Sequence, residues 1–221
     1  FIQTATSGES CVLIGAAGSG KTTCMRGVMQ SLITTGVAGL LEADDHKYLR
    51  TGTPGIVIVS FTRRAVSNIR KAVAEDMKSN CLTIHALLEY EPVYHEVYDS
   101  VSGTYVNKMN FEPTRSSSRP LSSSIRVCVI EEASMVSLEL FQELQDALPA
   151  NCQFIFLGDI QQLPPVFGSA ILGYKMLELP VVELTEIYRQ AVESPIIRLA
   201  HRILSGVPIA ANEYSEWKTP D

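Results

Sequence analysis

Three short stretches carry residue types whose spacing is chemically specific. The first is Gly15-Ala16-Ala17-Gly18-Ser19-Gly20-Lys21-Thr22, which fits GxxxxGK[ST] and stands between an apolar run, Cys11 to Gly15, and a stretch with Met25, Val28, Met29 and Leu32 at helical spacing. Glycines in such a turn let successive backbone N–H groups point inward around phosphate oxygens, and the helix that follows adds the partial positive charge of its N-terminus. Lys21 would reach the β- and γ-phosphates of a nucleotide, and the Thr22 hydroxyl, with Thr23 beside it, would meet Mg²⁺. A chance glycine turn does not require that lysine and threonine after a strand and before a helix. The nucleotide-binding candidates are therefore Gly15, Ala16, Ala17, Gly18, Ser19, Gly20, Lys21, Thr22 and Thr23.

The second stretch is the apolar run Val127 to Ile130, which ends in Glu131-Glu132. An acid at a strand end beside a phosphate loop can hold Mg²⁺, directly or through water, and that role goes to Glu131. Glu132, one residue on, would orient and deprotonate an attacking water. Alone, the pair also admits the lesser reading of a solvated acidic strand end, which pairing with the phosphate loop weakens further. The third stretch, Gly158-Asp159-Ile160-Gln161-Gln162-Leu163-Pro164-Pro165-Val166, follows the apolar run Phe154 to Leu157. Its polar residues emerge at a strand C-terminus, where ligands gather in open α/β sheets.

The elements that must position these residues can be read from periodicity. Ile56 to Val59 is another apolar run of strand length, and it leads into a basic, helix-like stretch from Arg63 to Lys78. Leu138 to Leu148 is amphipathic and lies between two of the apolar strands. Strands apolar throughout, alternating with helices, indicate an α/β fold with a mainly parallel sheet covered on both faces. Within residues 89–126 the pattern breaks: Val93 to Lys108 reads as a β-hairpin turning at Ser100 to Gly103, and Ser116 to Ser124 reads as a mobile serine-rich loop. Glu42 to Gly52 reads as an exposed, polar connector.

Composition narrows the classes. Hydrophobic residues make up 46% of the 221, which excludes wholesale disorder, and no apolar run approaches the roughly 18 residues that cross a membrane. Lys plus Arg total 18 against 24 Asp plus Glu, a formal net charge of −6, so any nucleic acid must be met by local basic patches. Two qualify. Arg63, Arg64, Arg70, Lys71 and Lys78 face only Glu75 and Asp76, and Lys108, Arg115, Arg119 and Arg126 face only Glu112, each a net of +3. A solvated charged face is the alternative for both. Five scattered cysteines with no CxxC pair argue against a disulfide framework and point to a reducing, cytoplasmic setting.

These motifs, in this order, resemble superfamily 1B helicases, the RecD-like and phage Dda-like branch. GAAGSGKT resembles the family's motif I, Ile58 to Val66 its motif Ia, Thr83 to Leu88 the next strand-contacting motif, VIEEAS motif II, GDIQQLPPV motif III, and Leu184 to Gln190 motif IV. The resemblance implies a RecA-like P-loop NTPase domain over residues 1–184, an inserted pin-like hairpin, and the start of a second RecA-like domain over 185–221. It implies an ATP-dependent, 5′-to-3′ DNA helicase using ATP and Mg²⁺ on single-stranded DNA, with replication or recombination proteins as partners and no membrane. Carried over to this chain, it makes Gln162 the γ-phosphate sensor and Arg189 an arginine finger, alongside Lys21 and Glu132 as catalytic residues. The implied strand contacts are Phe61, Thr62, Arg63, Arg64, Thr83 and His85, although Phe61 also fits core packing and His85 a structural role.

The chain departs from the family pattern where Glu131 stands in place of aspartate, one methylene longer. Gln3 stands too close to Gly15 to be the family's adenine-reading glutamine, and motifs V and VI are absent, so the sequence reads as an excerpt of a longer chain with weak activity alone. Two other functions remain open on the residues: a viral-type RNA helicase of the same superfamily, and a nucleotide-gated nucleic-acid-binding module with a degenerate ATPase.

Overall fold

A computed structural model of the chain describes residues 1–43, 45–186, 199 and 202–206. Arg189, the rest of Ile187–Gln190 and the tail from 207 onward lie outside the described residues. In chain order the elements are α1 (Ile2–Thr6), β1 (Cys11–Gly15), α2 (Lys21–Thr34), β2 (Ile56–Ser60), α3 (Arg63–Ala72), β3 (Cys81–Thr83) and α4 (Ile84–Leu87). There follow β4 (Glu91–Asp99), β5 (Thr104–Glu112), β6 (Val127–Glu131), α5 (Leu138–Ala147), β7 (Gln153–Gly158), α6 (Ile171–Glu178) and β8 (Val181–Leu184).

Six strands form one sheet in the order β3-β2-β6-β7-β1-β8, and every pairing in it is parallel. All residues of β1, β2 and β6 are buried, as expected for parallel strands with both faces covered. Successive side chains divide between two cores. Ile56, Ile58, Val127 and Val129 pack with Met25, Val28 and Leu32 of α2 and with Val66 and Ile69 of α3. Val57, Val59, Cys128 and Ile130 pack on the other face with Leu140, Phe141 and Leu144 of α5 and with Ile171 and Leu172 of α6. The parallel sheet read from the apolar runs is therefore present, and β8 extends it along the outer edge of β1.

Three sequence expectations need correction. The basic stretch from Arg63 to Lys78 is not one helix: α3 stops at Ala72, Val73 is extended, and Glu75–Asn80 forms a 3₁₀ turn. The tighter turn buries Met77 and Asn80, and the Asn80 amide donates to the Pro54 and Ile56 carbonyls at 2.8 and 2.9 Å. Glu42 to Gly52 is no simple connector, because Ala43 and Leu49 are in the core and a His46 ring nitrogen is hydrogen-bonded to the Leu87 carbonyl at 2.9 Å. The serine-rich segment is pinned rather than loose. Leu121 is buried and its amide donates to the Ala147 carbonyl at 2.7 Å, while Ser124 Oγ accepts from the Glu42 amide at 2.8 Å.

The hairpin stands apart as its own two-stranded sheet, paired from Glu91↔Glu112 to Asp99↔Thr104 and so longer at both ends than the sequence reading. An isolated hairpin is marginal in water, which makes its attachment decisive. Glu89, in the left-handed region at φ 49, accepts from Arg115 Nε at 2.6 Å and from the Lys47 amide at 2.7 Å. Arg115 also reaches Asp45 at 2.8 Å, and Arg119 bonds the other Asp45 oxygen. The Arg115 side chain is only 3% exposed, which removes it from the second basic patch. Arg115→Ala should cost about 3–5 kcal/mol in chemical denaturation, because the buried Glu89 carboxylate is left without its partner. Arg119→Ala, at a half-exposed site, should be close to neutral in the same measurement.

Candidate nucleotide site and single-strand interface

The glycine-rich loop leaves the end of β1 and enters α2 at Gly20, the N-cap, whose φ of 94° suits glycine. At Gly15 the loop closes so tightly that a Cβ would lie 2.4 Å from Ser19 Oγ and 3.1 Å from Leu184. Lys21 Nζ donates across the loop to the Gly15 and Ala16 carbonyls at 2.5 and 3.1 Å. Beside it, Ser19 Oγ is buried with no hydrogen-bond partner. A bound phosphate would offer acceptors to both groups, and the orphaned hydroxyl is the observation that fits this loop to a nucleotide.

The strand order brings the other candidates to the same edge, because β6 and β7 lie next to each other and β7 lies next to β1. Glu131 ends β6 and is 9% exposed. Burial pushes its carboxyl above the ordinary value, against the opposing pull of the Glu132 amide, Lys21 and the Thr22 hydroxyl. Burial lowers Lys21, and the nearby charges of Asp159 and Glu131 act against that shift. Thr22 and Glu131 thus present a hydroxyl and a carboxylate to one point beside the loop. Among the described residues no cluster of three or more His, Cys, Asp or Glu is arranged as a metal cage. A two-oxygen site completed by phosphates is the way Mg²⁺ is usually held.

Asp159 is a participant that the sequence motifs present only as part of a turn. It is 6% exposed, accepts from the Gln161 amide at 3.0 Å, and lies among the groups acting on Lys21. Its signal was available: it is the first polar side chain after the last apolar residue of β7. Gln162 is exposed on the same turn, with its amide nitrogen 3.5 Å from Asp159 Oδ2. Arg189 lies outside the described residues, so its placement is not part of this geometry.

The proposed strand-contact residues gather at the ends of β2 and β3. Thr62 and Thr83 are the N-caps of α3 and α4, accepting from the Ala65 and Ala86 amides, each at 3.1 Å. Arg63 and Arg64 are exposed, and Phe61, at 37% exposure, is on the surface rather than in the core. Phe61, His85 and Tyr90 form a chain of edge-to-face rings with centroids 5.7 and 4.8 Å apart, and the Tyr90 hydroxyl donates to Glu143. Burial lowers the His85 pKa from its ordinary value, against the opposing pull of Glu143, and so disfavours its charged form. Pro165 and Phe167, which follow the Asp159 turn, line the same groove of about 280 Å³. Tyr90 and Phe167 carry no signal in the sequence, because only the fold brings them to Phe61.

A family model described as "AAA domain" matches residues 1–168. The chain belongs to the AAA domain family. This AAA domain chain is 37% identical over 78 residues to the ATP-dependent RecD2 DNA helicase of Deinococcus radiodurans, across 35% of this chain and 11% of that protein. It is 29% identical to the ATP-dependent DNA helicase dda of Enterobacteria phage T4, across 87% of this chain and 37% of that one. The crystal structure of Bacteroides Pif1 bound to ssDNA superimposes with a TM-score of 0.52 at 18% identity, covering 100% of this chain and 49% of that chain, a likeness of fold. The chain therefore spans well under half the length of the curated relatives named here. The RecD-like and Dda-like resemblance read from the motifs agrees with these relatives.

Because burial disfavours the charged form of Glu131, Glu131→Gln should raise the melting temperature by a few degrees near pH 8 without nucleotide or metal. A carboxyl raised in the folded state loses stability as pH climbs from its unfolded value through its folded one. The advantage of the variant should therefore shrink to nothing on acidification below the ordinary carboxylate range. Paired melting curves at the two pH values check this.

Proposed function

We propose that this chain is the ATP-binding motor domain of a DNA helicase that moves 5′ to 3′ on single-stranded DNA, with residues 1–184 as the first RecA-like domain and 185–221 opening the second. The observation that carries it is the convergence of Lys21, Thr22, Glu131 and Asp159 on one sheet edge, adjacent to the exposed Phe61 to Arg64 segment. The names of the relatives, ATP-dependent DNA helicases, support the same substrate pair. The reduced cysteines support a reducing, cytoplasmic setting in a bacterial or phage-infected cell. No helix among the described residues is long and apolar enough to cross a membrane.

In this reading the loop amides, Ser19 and Lys21 bind the β- and γ-phosphates, with Lys21 releasing the Gly15 and Ala16 carbonyls to do so. Thr22 and Glu131 would hold Mg²⁺, which neutralises charge on the phosphates when bound. Glu132 accepts the proton of the attacking water as its oxygen bonds to the γ-phosphorus and the bond to the β–γ bridging oxygen breaks. Gln162 senses the γ-phosphate and Arg189 supplies a guanidinium to the transferring group. Thr83 and the two arginines grip the strand backbone, while Phe61 and His85 meet its bases. The hairpin, with Tyr94, Tyr98, Tyr105 and Phe111 exposed, takes the position of the duplex-splitting pin.

Lys21→Ala should abolish tight ATP binding. Glu132→Gln should keep binding and lower turnover by about 10²–10⁴, since an amide cannot take the proton. Equal loss of nucleotide affinity in both variants, measured by equilibrium titration, would sink this division of roles. For the strand, Arg63→Ala with Arg64→Ala should flatten the salt dependence of single-strand binding by about 0.7 in log–log slope for each phosphate no longer neutralised. Comparing ATPase stimulation by DNA and RNA oligonucleotides tests the RNA alternative.

A further inference from the structure

The strand-contact candidates line two hollows of opposite character. Phe61 and His85 line the aromatic groove, whose other walls include the carboxylates Glu139 and Glu143 and no lysine or arginine. Arg63 and Thr83 line a different hollow of about 480 Å³, which holds a second arginine, Arg70, and no acidic residue. The two adjoin at the start of α4, where His85 faces one and Ala86 the other. Neither arginine has a carboxylate partner among the described residues. The Arg70 guanidinium donates instead to the Cys81 carbonyl, through Nε and Nη2 at 3.2 and 2.8 Å, so its charge is left for something outside the protein.

The aromatic member of this second hollow is Tyr48, which is 51% exposed on a backbone that is tied down. His46 Nδ1 accepts from the Tyr48 and Leu49 amides at 3.2 and 3.1 Å, which leaves its proton on Nε2, to be donated to the Leu87 carbonyl of α4 at 2.9 Å. Leu49 is buried, and the Lys47 amide donates to Glu89 in the ion pair that anchors the hairpin.

We propose that this hollow holds one nucleotide of the bound single strand beyond those in the aromatic groove, its base stacked on Tyr48 and its phosphate between Arg63 and Arg70. The proposal rests on the reading of Phe61 to Arg64, Thr83 and His85 as strand contacts. A groove with two carboxylates admits bases and repels phosphates, so the backbone is driven to the arginine side of α4. There the arginines supply charge for the backbone and Tyr48 a π-face for a base, the pairing on which single-strand sites depend. The hollow lies within the roughly 300–1,000 Å³ of small-ligand sites. A ring carried on so fixed a support loses little freedom when a base stacks on it.

The test is the affinity of the intact protein for labelled oligothymidylates lengthened one nucleotide at a time, read by fluorescence anisotropy without ATP. Wild-type affinity should rise with length to a plateau. Tyr48→Ala should match wild type on the shortest oligonucleotides, lose about tenfold at the plateau, and reach its own plateau one nucleotide earlier. Tyr48→Phe, which keeps the π-face, should follow wild type. Arg70→Gln, whose amide can still donate to the Cys81 carbonyl, should reduce the log–log salt slope by about 0.7 for plateau oligonucleotides only. Wild-type behaviour of Tyr48→Ala at every length overturns the proposal, and so does an equal loss at every length, the mark of a purely structural role. If Arg63→Ala with Arg64→Ala flattens the salt slope while Tyr48→Ala changes nothing, only the Tyr48 subsite fails. If neither variant changes binding, the strand-contact reading fails as well.

Discussion

Lys21 is a partly buried ammonium whose charge is favoured by two carboxylates arriving from different strands. Burial disfavours its charge, and Asp159 and Glu131 oppose that by Coulomb attraction. This balance is available only because β7 lies between β1 and β6, so that the glycine-rich loop, Asp159 and Glu131 open on one edge. The completely apolar strands serve the same end. By burying both faces of the sheet they leave strand C-termini as the places where polar side chains can gather.

The second adjacency, β2 beside β6, places the residues that end and follow β2 within hydrogen-bond distance of Glu132. Ser60 and Thr62 reach Glu132 directly, over a sequence separation of about seventy residues. A parallel ladder in register does this without any dedicated linker. On the other side, the turn after β7 runs from Asp159 to Pro165 and Phe167 in the aromatic groove, giving a covalent route between the two regions.

The hairpin shows a different solution to placement. Two strands exposed on both faces contribute little core, so their base is held by a buried ion pair between Glu89 and Arg115, completed by Asp45 and the Lys47 amide. Such a pair fixes geometry more than it adds stability, since desolvation offsets much of its attraction. Glu89 takes a left-handed backbone to make it. The polar stretch Glu42 to Gly52 therefore anchors the hairpin.

Much of this molecule is legible in its sequence because the determining interactions are local. A glycine-rich turn between a strand and a helix cradles phosphate through its own backbone, and apolar runs of five residues alternating with helices require a covered parallel sheet. Glu131 and Glu132 stand out as candidates from their place at a strand end for the same reason. Strand order was not legible, and with it went the role of Asp159, the approach of Tyr90 and Phe167 to Phe61, and the contact between Thr62 and Glu132. Arg115 was misread because its charge suggested the surface, whereas burial and ion pairing are properties of what folds around it. The residue types and local spacing determined which chemistry the chain can carry. Only the tertiary structure decided which charges face one another, because Coulomb and hydrogen-bond energies depend on distance in space and not on separation along the chain.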